Sequence, residues 1–461
     1  MLLSSAFRLI LVVLFFPILP SWAQSRVVWN RSYGGEKVDL AYGVIRCSDG
    51  GFVVCGETWS FGAIAGDVYV FKISDQGDLI WEKRYSRGPN HMEWGRSIVE
   101  SGDGGYMIAG HSRNLSGLGN GDLYLMKLDG EGNLLWDRIY GGDQWDEPYS
   151  IVMSGENEFL IVGYTEPFVG GRSSMYMVKL NGEGELIWDR TLGDFVAYDV
   201  LISEDGNYIV GGNLGSKLCL VAFDRNGKAL WNFTDITRVG VSFGDLAPKG
   251  DEGFLLAGLS HYSDMPKIYL LEIDSSGEFV SRREIQNDQA IIFKNVERVK
   301  DGFVVFGGTF DMWSSSSQYM VRALKIDFNG DVVWEENLPL KPEIHGMTSA
   351  ADGRYLLVGS IYPGSRENRD VFAMLFTDEE EIPEIMAGLV ITVCVGYGLA
   401  VKLSKILPGN QCPSSLVRRQ RIAHKRRDNG VLDVFLTSRS SFHEGNWDGD
   451  KQDEHDILRD V

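Results

Sequence analysis

From Val27 to Phe376 the chain alternates short apolar runs with clusters of Gly, Asp and Asn. Short apolar or alternating runs bounded by such residues predict β-strands joined by tight turns, because Gly supplies the positive φ that a tight hairpin needs. One unit shows the order clearly. A first strand is expected over 96–100 and a Gly-Asp-Gly-Gly turn at 102–105; a second strand follows over 106–110, then a longer loop and a third strand over 123–128. Asp129-Gly130-Glu131-Gly132 then turns the chain into a fourth strand, 134–140, which carries Trp136.

The unit repeats. Fourth-strand tryptophans stand at Trp29, Trp81, Trp136, Trp188, Trp231 and Trp334, with Ser281 at the missing position, so the spacings are 52, 55, 52, 43, 50 and 53 residues. That period fits a four-stranded propeller blade. The first hairpin turn recurs at Asp49, Asp103, Glu156, Asp205, Asp251, Asp301 and Asp352, which makes seven blades. The second recurs at Asp129, Asn181, Asp224, Asp274 and Asp327, each followed three residues later by Gly, with Ser74 to Gly77 as a variant. A calcium loop would need several oxygen ligands closing on one point, whereas Asp followed by Gly also makes a plain turn. No Trp strand follows the last third strand, 371–376. The orphan fourth strand is therefore 27–33, which would close the ring against blade seven and remove an open sheet edge. The expected fold is an all-β, seven-bladed β-propeller.

These residues resemble a known group, the secreted prokaryotic seven-bladed propellers built from a Trp, Tyr-Gly-Gly, Asp-Gly-Gly-Tyr, Gly repeat. Tyr140-Gly141-Gly142, the run Asp103 to Gly110 and the stretch Asp122 to Trp136 carry the resemblance, which covers about 26–377 and fades in blades five to seven. It implies a fold; the group has no single activity.

The two ends of the chain read differently. Arg8, the apolar run Leu9 to Leu19 and Ser21-Trp22-Ala23 suit a cleaved signal peptide, 1–23, the alternative being an uncleaved anchor. Ile385 to Val401 is an uncharged run of 17 residues, followed by Lys402, Lys405 and a basic cluster from Arg418 to Arg427. Within a segment spanning 381–407, this reads as one transmembrane helix with its basic flank in the cytoplasm, against the alternative of a buried core helix. Gly388, Thr392, Gly396 and Ala400 would share one helix face, where small residues allow a homodimer through the membrane. The tail, 408–461, is polar and is expected to be disordered or a short docking segment.

Charge sharpens the division. The whole chain carries −20; the first 23 residues contribute +1 and residues 402–461 contribute +2, which leaves −23 for residues 26–384. So acidic an exterior excludes a nucleic-acid partner, which needs a basic surface, and it also serves simple solubility. Cys47, Cys55 and Cys219 lie in the propeller, too few for a disulfide-stapled scaffold, so buried free thiols are expected. Three sequons, at Asn30, Asn114 and Asn232, are glycosylation candidates for an exported domain.

Strand count also orients the ring. The third strand of blade seven ends on the face of the tight third-to-fourth turns, eight residues before the apolar run, so that face is expected to look toward the membrane. The opposite face, built from second-to-third loops and blade crossings, is the place for binding residues. An acid stands five residues before the first strand's Val44, Ile98 or Ile151: Asp39, Glu93 and Asp146. Blades four to seven have Phe195, Val241, Ile291 and Pro342 instead. Trp59, Phe61, Trp94, Trp145, Tyr149 and Phe168 accompany the acids, a combination suited to a glycan, a cationic peptide or a basic protein. The competing reading is that each acid accepts bonds from its own loop amides.

Enzyme signatures are thin. Asp129-x-x-Gly-x-x-x-Trp departs from a sialidase box, and His91, His111, His261 and His345 show neither metal-pair spacing nor a neighbouring nucleophile motif. Asp39 and Glu93 could form a glycosidase pair only at a separation of roughly 5 to 10 Å. The sequence thus predicts a single-pass surface protein that binds an extracellular protein or glycan without catalysis and without a cofactor. A membrane-tethered glycan-active enzyme and a structural envelope component are the alternatives.

Overall fold

The computed structural model describes residues 26–377, apart from 117–120, 168–170, 237–239, 261–266, 286–290, 310–319, 339–341, 351–352 and 362–368. The signal segment, the apolar run with Gly388, Thr392, Gly396 and Ala400, the tail, and Phe168, His261 and Asp352 lie outside the described residues. Among the described residues no helix is long and apolar enough to cross a membrane.

Seven antiparallel sheets of four strands make the fold. Their first strands are Asp39–Arg46, His91–Glu100, Gln144–Gly155, Phe195–Ile202, Val241–Pro248, Ile291–Val299 and Glu343–Ser349. Each touches the first strands of both neighbouring blades, so the seven form an inner ring around the axis. The closing strand is Val27–Tyr33, paired antiparallel to Asp370–Thr377 of blade seven. The seven-bladed β-propeller and its N-terminal closure are as the repeat implies.

Burial explains the apolar pattern. Second and third strands such as Phe52–Thr58 and Asp67–Ile73 are buried along their whole length. Both of their faces pack against adjoining blades, so they read as continuous apolar runs. Fourth strands such as Leu134–Tyr140 are largely exposed.

The recurring residues turn out to be contacts between successive blades. Each second turn is closed by its own side chain: Asp224 Oδ1 accepts from the amides of Asn226 and Lys228, both at 2.9 Å. Asn181, Asp274 and Asp327 do the same. The turn reading therefore holds, and no cluster of metal-ligating side chains occurs among the described residues. The glycine that ends each turn, with φ near +76°, lies under the tryptophan of the preceding blade: Gly132 under Trp81, Gly184 under Trp136, Gly227 under Trp188. A Cβ at Gly184 would stand 2.6 Å from Trp136. Tyrosines of the same fourth strands reach the same turns, as Tyr33 Oη donates to the Gly77 carbonyl at 2.6 Å. Where Ser281 replaces Trp, Arg283 covers Gly330.

A lysine in the third strand ties the first hairpin. Lys72 pairs with Asp49, Lys127 with Asp103 and Lys325 with Asp301, each at 2.7 Å. Blade five reverses the charges: Lys249 stands in the hairpin and Glu272 in the strand, 3.1 Å apart.

The cysteines Cys47, Cys55 and Cys219 are free and buried. Cys55 faces Gly43, because the hairpin turn takes in Cys47 to Gly51 and uses two left-handed glycines.

Candidate functional site

The first strand of blade two begins at His91, five residues earlier than the sequence suggested. This extension decides where the candidate acids go. Asp39, Glu93 and Asp146 lie within first strands, opposite Thr58, Ser112 and Thr165 of the second strands. All three are buried. Asp39 Oδ2 accepts from the Gly35 amide at 2.7 Å and from Ser60 Oγ at 2.8 Å, and Thr58 Oγ1 donates to Oδ1. Glu93 accepts from Ser112 Oγ at 3.3 Å and from the Arg87 amide at 3.5 Å. Asp39 and Glu93 thus accept bonds from loop amides, as the competing reading has it, and they anchor the blade crossings. Buried in this way, Asp39 and Glu93 are also closed to a glycoside substrate.

Each has a second carboxyl near it from the third strand of the preceding blade. Burial, with Asp67 nearby, pushes the Glu93 carboxyl up to about 7. Burial and the charge of Asp146 push Asp122 up to about 6. The crossing glycines leave room for these groups: a Cβ on Gly141 would lie 2.5 Å from Asp122 Oδ1 and 2.6 Å from Asp146 Oδ2.

The candidate tryptophans are occupied as well. Trp59 Nε1 donates to Glu57 at 2.7 Å. Trp94 and Trp145 hold the His111 ring between them, centroids 4.2 and 4.5 Å away. His111 is fully buried with neither ring nitrogen hydrogen-bonded, and burial drops it to about 3, so it is a neutral ring in a stack.

The axis offers a different surface. Every first strand carries one β-bulge at the same register, at Tyr42, Arg96, Tyr149, Tyr198, Gly244, Lys294 and His345. A bulge places two residues opposite one and re-aims a side chain. Tyr42, Arg96, Tyr149, Tyr198, Gly244 and His345 all line one axial cavity of about 790 Å³. Their rings form a belt: His345 packs edge-on to Tyr42 at 5.7 Å, Tyr149 meets Tyr198 at 4.8 Å, and Tyr198 stacks on Phe243 at 5.9 Å. Arg96 bridges the belt, its guanidinium carbon 5.4 Å from the Tyr42 ring centre and 4.8 Å from that of Tyr149.

Behind the belt, the next residue of some strands ties blade to blade. Ser150 Oγ donates to Asp199 Oδ1 at 2.9 Å, and Asp245 Oδ2 accepts from the Val296 amide at 2.7 Å. Asp199 and Asp245 are near neighbours; burial pushes Asp199 up to about 6, and burial with the Asp199 charge raises Asp245 well above the carboxylate range. Asn295 Oδ1, also on the cavity wall, is buried without a hydrogen-bond partner.

Of this belt the sequence singled out Tyr149 alone, beside the acids, because Arg96, Gly244 and His345 differ from its tyrosines in type. The one available signal was positional, two residues before the buried Val44, Ile98 and Ile151.

No family model and no curated protein matches the sequence. Several solved structures are similar at low identity. The Dos1 propeller is similar at 10% identity and TM-score 0.44, over 77% of this chain and 96% of that one. The β-propeller domain of the trilobed protease from Pyrococcus furiosus matches at 15% identity and TM-score 0.44, over 76% and 96%. Drosophila plexin A, solved in complex with semaphorin 1b, matches at 8% identity and TM-score 0.41, over 76% and 88%. At these identities and TM-scores the likenesses carry no argument about activity, and the propeller rests on the seven sheets themselves.

Proposed function

We propose that the chain is a membrane-anchored surface propeller that binds an extracellular glycan or protein without catalysis, and that the belt around the axial cavity is its binding surface. One observation carries this reading: bulges at one register turn four rings and a guanidinium into a single cavity of a size typical for ligand sites. The anchor is read from the apolar run 385–401, a short distance past Thr377, and the signal segment 1–23 would deliver the propeller to the outside.

The test is affinity capture with detergent-solubilised full chain from envelope or culture extracts, comparing wild type with the Tyr149→Ala/Tyr198→Ala variant. A partner retained by wild type and lost by a variant that melts at the same temperature supports the belt. Equal capture by both would remove the belt as the surface. Labelling of intact cells from outside should reach the propeller and leave the tail unlabelled.

A further inference from the structure

We propose that the axial cavity takes a methylated ammonium group, held on the rings of Tyr149, Tyr198 and Phe243. The inference rests on the belt being a binding surface and assigns its ligand class.

The belt already holds one cation of its own. The Arg96 guanidinium lies over the rings of Tyr42 and Tyr149, because the negative face of an aromatic ring attracts positive charge. The rings continue on the next two blades. Tyr198 meets Tyr149 with the planes inclined at 63°, and Phe243 lies nearly parallel to Tyr198, at 12°. All three are only half-buried on the cavity wall, so a molecule in the cavity can reach them.

Charge selects the sign of the ligand. Among the described residues, the charged groups of the wall are Arg96 on blade two and the carboxyls of Asp199, Asp245 and Glu297 on blades four to six, with the His345 imidazole on blade seven. The charge of Arg96 is answered in part by Glu147, whose carboxyl it pulls down against the effect of burial. The wall beside Tyr198 and Phe243 is therefore acidic, which disfavours an anion and favours a cation.

Hydrogen bonding narrows the class of cation. Asp199 Oδ1 already accepts from Ser150 Oγ at 2.9 Å and from the Val200 amide at 2.8 Å. Asp245 Oδ1 accepts from the Leu246 amide at 3.0 Å, and its Oδ2 from the Val296 amide at 2.7 Å. A primary ammonium brings three donors that each need an acceptor, and these carboxyls have their lone pairs engaged. A trimethylated ammonium has no N–H to satisfy and draws on charge and ring faces alone. The cavity, at about 790 Å³, is larger than such a group and leaves room for the molecule that carries it.

Full-length protein is titrated by calorimetry at pH 8, where Asp199, pushed up to about 6 by burial, is ionised. The probes are choline, its uncharged isostere with carbon in place of the ammonium nitrogen, and ethanolamine. Saturable choline binding about tenfold tighter than that of either other probe supports the assignment. Tyr198→Ala should weaken choline about tenfold and Glu297→Gln about threefold, whereas Arg96→Gln removes a repelling charge and should tighten it about threefold. Each variant is melted first, because Tyr198 and Arg96 pack within the belt; Glu297→Gln lies outside it, keeps the side-chain size and changes charge alone. The isostere binding as tightly as choline overturns the role of charge, and ethanolamine binding as tightly overturns the methylated class. Choline binding indifferent to Tyr198→Ala and Glu297→Gln, or no choline binding at all, overturns the site. Partner capture still lost in the Tyr149→Ala/Tyr198→Ala variant would then leave the belt as a binding surface with another ligand.

Discussion

Gly184 shows how little freedom a single position has in this repeat. Its φ of +74° already favours glycine, and the indole of Trp136 fills the space a methyl would take. Gly184→Ala should cost roughly 1–3 kcal/mol by thermal melting, from strain and a displaced ring together. Asn157→Ala, in an exposed hairpin nearby, should cost under about 0.5 kcal/mol. Glu93 makes the complementary point about charge. Its carboxyl is raised in the folded chain, so folding takes up a proton, and the stability present below about pH 4.5 is lost as pH rises toward 7. Glu93→Gln should therefore gain on the order of 1–3 kcal/mol over wild type at pH 8 and nothing at pH 4. A variant less stable than wild type at pH 8 would show that Glu93 is held as a needed anion. At this scale the sequence displayed the glycines, tryptophans and acids, but not their partners. The glycines and tryptophans find each other some 50 residues apart in neighbouring blades, beyond the reach of local pattern.

Strands and turns were the most legible level. The closing strand and the fourth strand of blade two have the limits that alternation and turn residues gave, because turn chemistry is local. The first strands were read short, since a bulge interrupts their alternation midway. The hairpin tether of Lys72 to Asp49 is also an element-scale device, and its reversal in blade five shows that the pairing matters more than the polarity. Lys72 is 7% exposed and Asp49 is 65% exposed, so solvent weakens the pair. A double-mutant cycle over Lys72→Met and Asp49→Ala should give a coupling of about 1 kcal/mol, falling in 1 M salt. Lys72→Glu with Asp49→Lys should recover part of what Lys72→Glu alone loses.

The whole ring was legible as a count, seven turns against six tryptophans and one serine, and the odd strand left at the start of the chain required closure. The cavity was not legible, because it belongs to no one blade. Three first strands contribute a tyrosine and three others Arg96, Gly244 or His345, so no one residue type marks the axis, and the common register reveals it. Closure has a consequence that can be measured at this scale. A chain lacking 27–33 would leave Asp370–Thr377 as an unpaired edge. Light scattering should then show oligomers where the intact chain is uniform, and limited proteolysis should cut blade seven first.

That same closure sets a schedule for biogenesis. Val27 finds its neighbour only at Phe376, so the first strand to emerge from synthesis or export must stay unpaired until the last one arrives. Contacts so distant in sequence form late and slowly. Blades one to six can assemble as they appear, while the leading strand waits as exposed edge-forming chain, the segment that needs a holding chaperone. A ribosome stalled anywhere before blade seven would release an open ring. The final strand thus acts as a checkpoint, and completeness of the polypeptide is read by whether its beginning has been captured.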